Sequence, residues 1–384
     1  MKGMDGEMFK KGFKNSSQPI SMLGLGCMRL PVIGGDDGAI DYEKAQEIVD
    51  YALANGVNYI DTAHGYHNGQ SQVFLGKALS KYPRESYFLA TKLPMWSVTA
   101  KKDIEKIFKE QLEKLKTSYF DFYMIHSLDS GNFKKAVDFG AYEFISEMKA
   151  QGKIRNIGFS FHDSPPVLEE IVNKYKWDFA QLQINYVDWK NQNAKKLFEI
   201  LQKNNIPCIV MEPVRGGGLA NPGEKASELL KAARPEKSIA SWAIRFGASL
   251  PDIITVLSGM SNMEQLKDNI DTMTGFEPLS KAELELLEKA AEAYNLRDLI
   301  PCTACRYCMD CPSGVDIPGM FELYNGYVVS KNKEGFVSAY NDTDAGERAD
   351  SCTACGQCAP LCPQSIEIPE KMEMIKNLVA KFSK

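Results

Sequence analysis

No apolar run in this 384-residue chain is long enough to span a bilayer, and residues Met1 to Gly6 carry no apolar segment of the secretory kind. A membrane is therefore not an expected partner. No basic stripe stands out either, and the formal net charge is −5, so nucleic acid is not an expected partner. Ten cysteines without a secretion signal point to a reducing cytosol, and the chain reads as cytoplasmic. An apolar fraction of 44% and a charged fraction of 25% are ordinary for a globular chain. The length leaves room for one large domain and one small one.

Eight of the ten cysteines lie in two runs near the C-terminus that are near-copies of each other. The first holds Cys302, Cys305, Cys308 and Cys311, and the second Cys352, Cys355, Cys358 and Cys362. Three thiolates at two-residue spacing, a fourth shortly after and then proline form the run that wraps an iron–sulfur cube. Zinc is the alternative, but its sites pair two short Cys or His hooks across a longer loop. The repeat continues past the cysteines, from Cys311-Pro312 to Ile317-Pro318 and from Cys362-Pro363 to Ile368-Pro369. Each later proline stands where a helix would start, since its missing N–H costs nothing in a first turn.

This C-terminal part resembles a two-cluster bacterial-type ferredoxin, in which the fourth cysteine of each run ligates the other cluster. The resemblance implies two [4Fe–4S] clusters. Cys302, Cys305, Cys308 and Cys362 would hold one, and Cys352, Cys355, Cys358 and Cys311 the other. The first run departs from the usual pattern by being one residue short before Cys311. The insert 313–351 is long for a minimal ferredoxin and predicts two short helices. Exposed clusters imply an anaerobic or microaerobic host.

Ahead of the cysteines, short β-like runs alternate with amphipathic helical stretches. The runs are Met22–Leu25, Tyr59–Thr62, Tyr87–Thr91, Asp121–Ile125, Arg155–Phe159, Phe179–Ile184, Cys208–Met211 and Ile253–Leu257. Helical patterns fall between them, as at Tyr42–Asn55, Lys101–Leu115, Pro166–Tyr175 and Ala194–Lys203. Eight strands alternating with helices over this length predict an α/β fold, a (β/α)8 TIM barrel, followed by a small α-rich ferredoxin-like dicluster domain. The competitor is an open doubly wound sheet. It would show G-x-G-x-x-G after its first strand, and Gly24-Leu25-Gly26-Cys27-Met28-Arg29 does not supply one. A hairpin turning at Asn15-Ser16-Ser17 precedes the barrel, and a Ser280-capped helix to Tyr294 follows it. The domains are expected at 1–275 for the barrel, 276–298 for a linker helix and 299–384 for the dicluster domain, with a closing helix over 369–382.

Polar residues at the C-terminal ends of barrel strands form active sites. Strand two ends in Asp61-Thr62-Ala63 with Tyr66 beyond, strand three leads to Lys92 and strand four to His126. Singly, each has a bland reading: a helix cap, a surface cation, or satisfied core residues. Together, Leu23-Gly24-Leu25-Gly26, Asp61-Thr62-Ala63 with Tyr66, Ala90-Thr91-Lys92 and Tyr123-Met124-Ile125-His126 make residues 19–275 resemble the aldo-keto reductases. The resemblance implies a catalytic tetrad of Asp61, Tyr66, Lys92 and His126. Carbonyl reduction by hydride needs a proton donor, and a free tyrosine with a pKa of about 10 is a poor one. An ammonium from Lys92, held by Asp61, would favour the phenolate, while His126 would orient the carbonyl.

The resemblance also places a nicotinamide cofactor, NADP or NAD. Ser160 and Gln183 fall where the family binds the carboxamide, with Asn185 and Tyr186 following on the rim. Met211 stands where strand seven often ends in an aromatic that stacks on the ring. Gly216, Gly217, Gly218 and Leu219 match the loop that closes over the pyrophosphate. Gly259, Gln265 and Asn269 occupy the adenosine-phosphate segment. NADP-preferring members carry a lysine and an arginine around Gly259 and Gln265; neither is here, although Lys267 is near. A 2′-phosphate calls for a charge-assisted fork, so NADP preference does not follow. Cys27 is expected at the pocket rim, Cys208 in the core, and His64, His67 and His162 either at the mouth or in structural roles.

The leading expectation is an oxidoreductase that reduces a small-molecule aldehyde or ketone, or oxidises the alcohol, with two clusters for electron transfer and a redox partner protein. Hydride carries two electrons and each cluster passes one, so a converter belongs between them. FMN can bind at the strand seven–eight phosphate site of a barrel without a fingerprint. The alternatives are a ferredoxin- or flavin-coupled enzyme without nicotinamide, and a non-catalytic binding protein with structural clusters.

Overall fold

The structure is a computed structural model that describes residues 6–383 other than Asn15, Ser17, Leu296, Arg297 and Asp310. The chain forms two compact units, Met1–Val214 with Glu236–Glu285, and Arg215–Pro235 with Leu286–Lys384.

The first unit is a closed barrel of eight parallel strands in sequence order. They span Leu23–Gly26, Tyr59–Asp61, Phe88–Pro94, Phe120–Leu128, Ile154–Phe161, Phe179–Gln183, Cys208–Met211 and Ile253–Ser258. Strand eight closes on strand one with Val256 opposite Leu23 and Leu257 opposite Gly24. All eight fall on the predicted runs. Strands three and four run three residues further than expected, so Lys92 and His126 lie inside strands rather than just past them. Every residue of Phe88–Pro94 is buried. Both faces of a barrel strand are covered, so a polar side chain does not end it.

The hairpin pairs Lys10 with Ser21 and Lys11 with Ile20; the expected turn residues Asn15 and Ser17 lie outside the described residues. Phe13 from the hairpin meets Phe122 at a ring distance of 5.5 Å. Phe122 also meets Tyr59 at 5.0 Å and Phe179 at 5.1 Å. Tyr59, Phe88 and Phe179 each begin a strand. Aromatics thus fill the N-terminal end of the barrel, where offset and edge contacts add to area burial. The C-terminal end is left for polar chemistry.

Local signals define the helices. Asp41 accepts the Lys44 N–H at 3.2 Å to open the helix Tyr42–Ala54. At the helix Lys281–Asn295, Ser280 Oγ accepts from the Glu283 N–H, and Glu283 Oε2 accepts from the Ser280 N–H at 2.8 Å. This is a capping box, as expected of Ser280.

In the second unit the insert does hold two helices, Ile317–Ser330 and Lys333–Asp342, and Ile368–Phe382 closes the chain. Pro318 and Pro369 sit in first turns. Val315, Ile317, Phe321, Tyr340, Met372 and Ile375 belong to its core, with Cys302, Cys308, Cys311, Cys352, Cys358 and Cys362 packed against it. Among the described residues no helix is long and apolar enough to cross a membrane.

Gly76, within the helix Gln70–Ala78, passes so close to the end of Lys101–Lys114 that a Cβ would lie 2.0 Å from the Lys114 carbonyl oxygen. Backbone cannot rotate aside as a side chain can. Gly76→Ala is expected to destabilise the barrel by about 1–3 kcal/mol despite its better helix propensity. A lowered midpoint in anaerobic thermal denaturation followed at 222 nm checks this; an unchanged or raised midpoint contradicts it.

Candidate active site and cysteine loops

Barrel closure brings Asp61, Lys92 and Tyr66 together. Asp61 ends strand two, and Lys92 lies opposite Met124 on strand four. Lys92 Nζ donates to Asp61 Oδ1 at 2.6 Å, to the Thr62 carbonyl at 2.8 Å and to Tyr66 Oη at 3.0 Å. The ammonium also lies 4.5 Å from the Tyr66 ring centroid. Lys92 is 0% exposed. Burial holds its ammonium below the usual lysine range and Asp61's carboxyl above the usual carboxylate range, while their mutual attraction pulls each back. His126 completes the group, its ring 6.0 Å from that of Tyr66 and 4.8 Å from that of the half-exposed Trp96. Burial first, then the Lys92 charge, push the His126 imidazole well below its ordinary pKa, which keeps it neutral.

Gln111 and Gln72, which the sequence did not single out, hold this strand from outside. Gln111 Nε2 donates to the Lys92 carbonyl at 2.8 Å while its Oε1 accepts from Tyr123 Oη, and Gln72 Nε2 donates to Thr91 Oγ1. A glutamine on an amphipathic helix looks like any other surface residue; its burial is the signal, and burial is tertiary. His67 is structural: its Nε2 accepts the Leu30 N–H at 3.0 Å, and its Nδ1 lies 2.8 Å from the Asp37 carbonyl. His64 and His162 face His126 electrostatically, and burial lowers both, His162 to about 4. Cys27 is 0% exposed, with its N–H donating to the Asp61 carbonyl, so it stands inside the wall rather than on the rim. Cys208 is core, as expected.

The expected cofactor contacts are more mixed. Ser160 Oγ accepts from the Ser127 N–H at 2.7 Å. Gln183 and Asn185 both donate to Asp188 Oδ2 at 2.7 Å, and Asn185 and Tyr186 are buried rather than on the rim. Met211 Sδ accepts from Gln181 Nε2 at 3.3 Å. Asn269 donates to Ser258 Oγ, and Gln265 Oε1 accepts from the Ser261 N–H. Lys267 lies over the Tyr51 ring at 5.5 Å. The cation beside Gly259 is one the sequence reading missed: the stem of Arg29 would meet a Gly259 Cβ at 3.1 Å, and its guanidinium pairs with Glu212 at 2.9 Å. It comes from the loop after strand one, 230 residues earlier (259 − 29), so no local pattern shows it.

The buried acceptors Asp61 Oδ2, Gln72 Oε1 and Gln181 Oε1 have no hydrogen-bond partner among the described residues. A ligand with hydroxyl or amide donors fits such a wall. The loop of Arg215, Gly216 and Gly217 is left-handed throughout (φ 53°, 65° and 94°), and a Cβ on Gly217 would meet nothing within 4 Å.

The cysteine repeat is carried down to backbone angles. Ala304 and Ala354 are left-handed at φ 51° and 55°, and Arg306 and Gly356 at 62° and 74°. Such turns aim N–H groups inward, and Ala304 donates to Cys302 Sγ at 3.3 Å. Cys302, Cys305, Cys308 and Cys362 line one hollow. Cys358 has Cys311, Cys352 and Cys355 as its thiol neighbours. Among the described residues no three His, Cys, Asp or Glu side chains gather as ligands of a single ion; the thiols stand apart around a space instead. Burial, then neighbouring thiols, push the Cys308 thiol up to about 12. Its donor set suits a cationic iron core that would hold it deprotonated.

The comparisons identify the family of each part of the chain. A profile of the aldo/keto reductase family matches residues 22–292, and one of the 4Fe-4S dicluster domain matches residues 301–367. The uncharacterized oxidoreductase YqkF of Bacillus subtilis is 27% identical over 73% of this chain and 96% of its own length. The NADH-specific methylglyoxal reductase of Escherichia coli is 27% identical over 71% of this chain and 95% of its own. The holo form of the aldo-keto reductase AKR11C1 of Bacillus halodurans is 26% identical over 75% of this chain and 97% of its own, with a TM-score of 0.61. The chain belongs to the aldo/keto reductase family of oxidoreductases, and its barrel is followed by a 4Fe–4S dicluster domain.

The burial of His126 has a direct consequence. Its imidazole is expected to stay neutral across the range in which an ordinary histidine, with a pKa of about 6.5, takes up its proton. Histidine NMR across that range checks this; a His126 midpoint near the ordinary value of about 6.5 contradicts it.

Proposed function

We propose that the barrel reduces a small aldehyde or ketone, or oxidises the corresponding alcohol, with Asp61, Tyr66, Lys92 and His126 as its catalytic group. The observation that carries this is Lys92 Nζ bridging Asp61 Oδ1 and Tyr66 Oη inside a buried wall. When bound, a nicotinamide dinucleotide supplies the hydride. An ammonium donates but cannot accept, so the phenolic proton is directed away from Lys92, to the carbonyl oxygen as it becomes an alkoxide. Lys92 then stabilises the phenolate left behind, and Asp61 keeps the ammonium in place. Neutral His126 donates an N–H to the same oxygen and orients it.

Ser160, Gln183, Met211, Gly216, Gly217, Gly218, Leu219, Gly259, Gln265 and Asn269 form the proposed dinucleotide site. Arg29 is already paired with Glu212, and Lys267 covers Tyr51. This favours NAD(H) over a cofactor with a 2′-phosphate, in keeping with the NADH-specific relative. Anaerobic fluorescence titration is expected to show NADH binding more tightly than NADPH; binding of neither would sink the nicotinamide reading. Tyr66→Phe is expected to lower kcat about 10²–10⁴-fold while leaving NADH affinity within about threefold. Turnover equal to wild type would remove Tyr66 as the acid.

The dicluster domain supports a second reading. Hydride moves two electrons and each cluster one, so a barrel holding FMN in place of nicotinamide would join the two. Stoichiometric FMN released on gentle denaturation favours that reading.

For the clusters, we propose crossed ligation, Cys302, Cys305, Cys308 and Cys362 on one and Cys352, Cys355, Cys358 and Cys311 on the other. The hollow lined by the first four supports it. Cys362→Ser should remove about half the iron, and adding Cys305→Ser should remove no more. Loss of both clusters in the double variant would refute the crossing.

A further inference from the structure

Gly216 has a neighbour that its place after strand seven does not explain. A Cβ there would lie 2.7 Å from both the Cα and the carbonyl oxygen of Thr303, and 2.9 Å from its carbonyl carbon. Thr303 is the residue after Cys302, is 3% exposed, and lines the same hollow as Cys302, Cys305, Cys308 and Cys362. The glycine loop and the first cysteine loop are thus in backbone contact within one compact unit. A second tie runs alongside. Arg215 Nη1 donates to Tyr294 Oη at 3.0 Å, and the Tyr294 hydroxyl lies 3.3 Å from a Cβ on Gly218.

The glycine loop does not hold this shape by local preference. Arg215 is a non-glycine residue at φ 53°, and Glu212 just before it is at 52°. Such conformations persist where surroundings over-determine them. Glu212 is paired with Arg29; from Arg215 onward, the Gly218 N–H donates to the Arg215 carbonyl and the Ala220 N–H to the Gly217 carbonyl, while Tyr294 and the Thr303 backbone meet the loop from outside it. Residues 301–306 are neither helix nor strand. Thr303 therefore stays in place to the extent that its flanking cysteines are tied together, and ligand binding to thiols is folding free energy for such a loop.

We propose that the first iron–sulfur site positions the dinucleotide-phosphate loop: occupancy of the site bound by Cys302, Cys305, Cys308 and Cys362 holds Thr303 against Gly216, and this sets the affinity of the barrel for the pyrophosphate of its cofactor. Gly216 and Thr303 are positioning residues. Loss of this one cluster, as under oxidative damage, lowers cofactor affinity without touching Asp61, Tyr66, Lys92 or His126. The inference rests on the nicotinamide reading above.

The test uses the full-length holoprotein under anaerobic conditions, with hydrogen-exchange mass spectrometry of residues 215–235 and fluorescence titration with NADH. Cys305→Ser is expected to speed loop exchange about tenfold and to weaken NADH binding about tenfold. Cys355→Ser, in the other cysteine run, should leave loop exchange within about twofold. Gly216→Ala covers the case in which Cys305→Ser unfolds the unit. It should weaken NADH binding about tenfold while the absorption and EPR signals of both clusters stay as in wild type. Wild-type protein that binds neither NADH nor NADPH overturns the nicotinamide reading, and this inference with it. With wild-type binding intact, equal loop exchange in Cys305→Ser and Cys355→Ser overturns this inference alone, as does unchanged NADH affinity in Gly216→Ala.

Discussion

A fully buried ammonium imposes the strictest condition on the barrel. Lys92 is 0% exposed, and an isolated charge in such a place would be expelled or neutralised. Three acceptors in hydrogen-bond range, on Asp61, Thr62 and Tyr66, make its position tolerable. They come from strand two and the loop after it, so the register of strands two and three has to be right before the charge can be buried. Glutamines from two helices then hold the Lys92 strand from behind. Removing any partner would leave a buried charge under-satisfied, which is costlier than the pair is stabilising. The arrangement that burial makes expensive is also the one that sets the Lys92 ammonium against the Tyr66 hydroxyl.

The two ends of the barrel divide the work. Phe13, Tyr59, Phe88, Phe122 and Phe179 pack one end with buried rings. Stability resides there, and the polar residues at the opposite end are free to be selected for chemistry. The closest helix packing is made possible by Gly76, which lets one helix meet the end of the next at backbone distance.

The cysteine loops follow another logic. They lack regular secondary structure around the first three thiols, and their shape is written in a repeated series of left-handed residues. The core beneath them, around Phe321, Tyr340 and Met372, positions the loops but does not close them. The glycine loop after strand seven packs on the first of these loops, backbone against backbone, at Gly216 and Thr303.

The barrel, its eight strands, the two cysteine runs and the residues Asp61, Tyr66, Lys92 and His126 were all legible in the sequence. Periodicity, spacing and strand-end position are local properties that a linear chain displays. The strand ends were misjudged at Lys92 and His126, because a polar residue reads locally as the end of a strand when its partners cannot be seen. Arg29 beside Gly259, Gln111 behind Lys92 and Thr303 beneath Gly216 were invisible for the same reason. Each contact joins residues far apart in the chain, and nothing in either segment marks the other. By itself the sequence determined which chemical groups are present and on which elements they ride. The tertiary structure decided which of them meet, because burial and close approach arise only when distant segments pack.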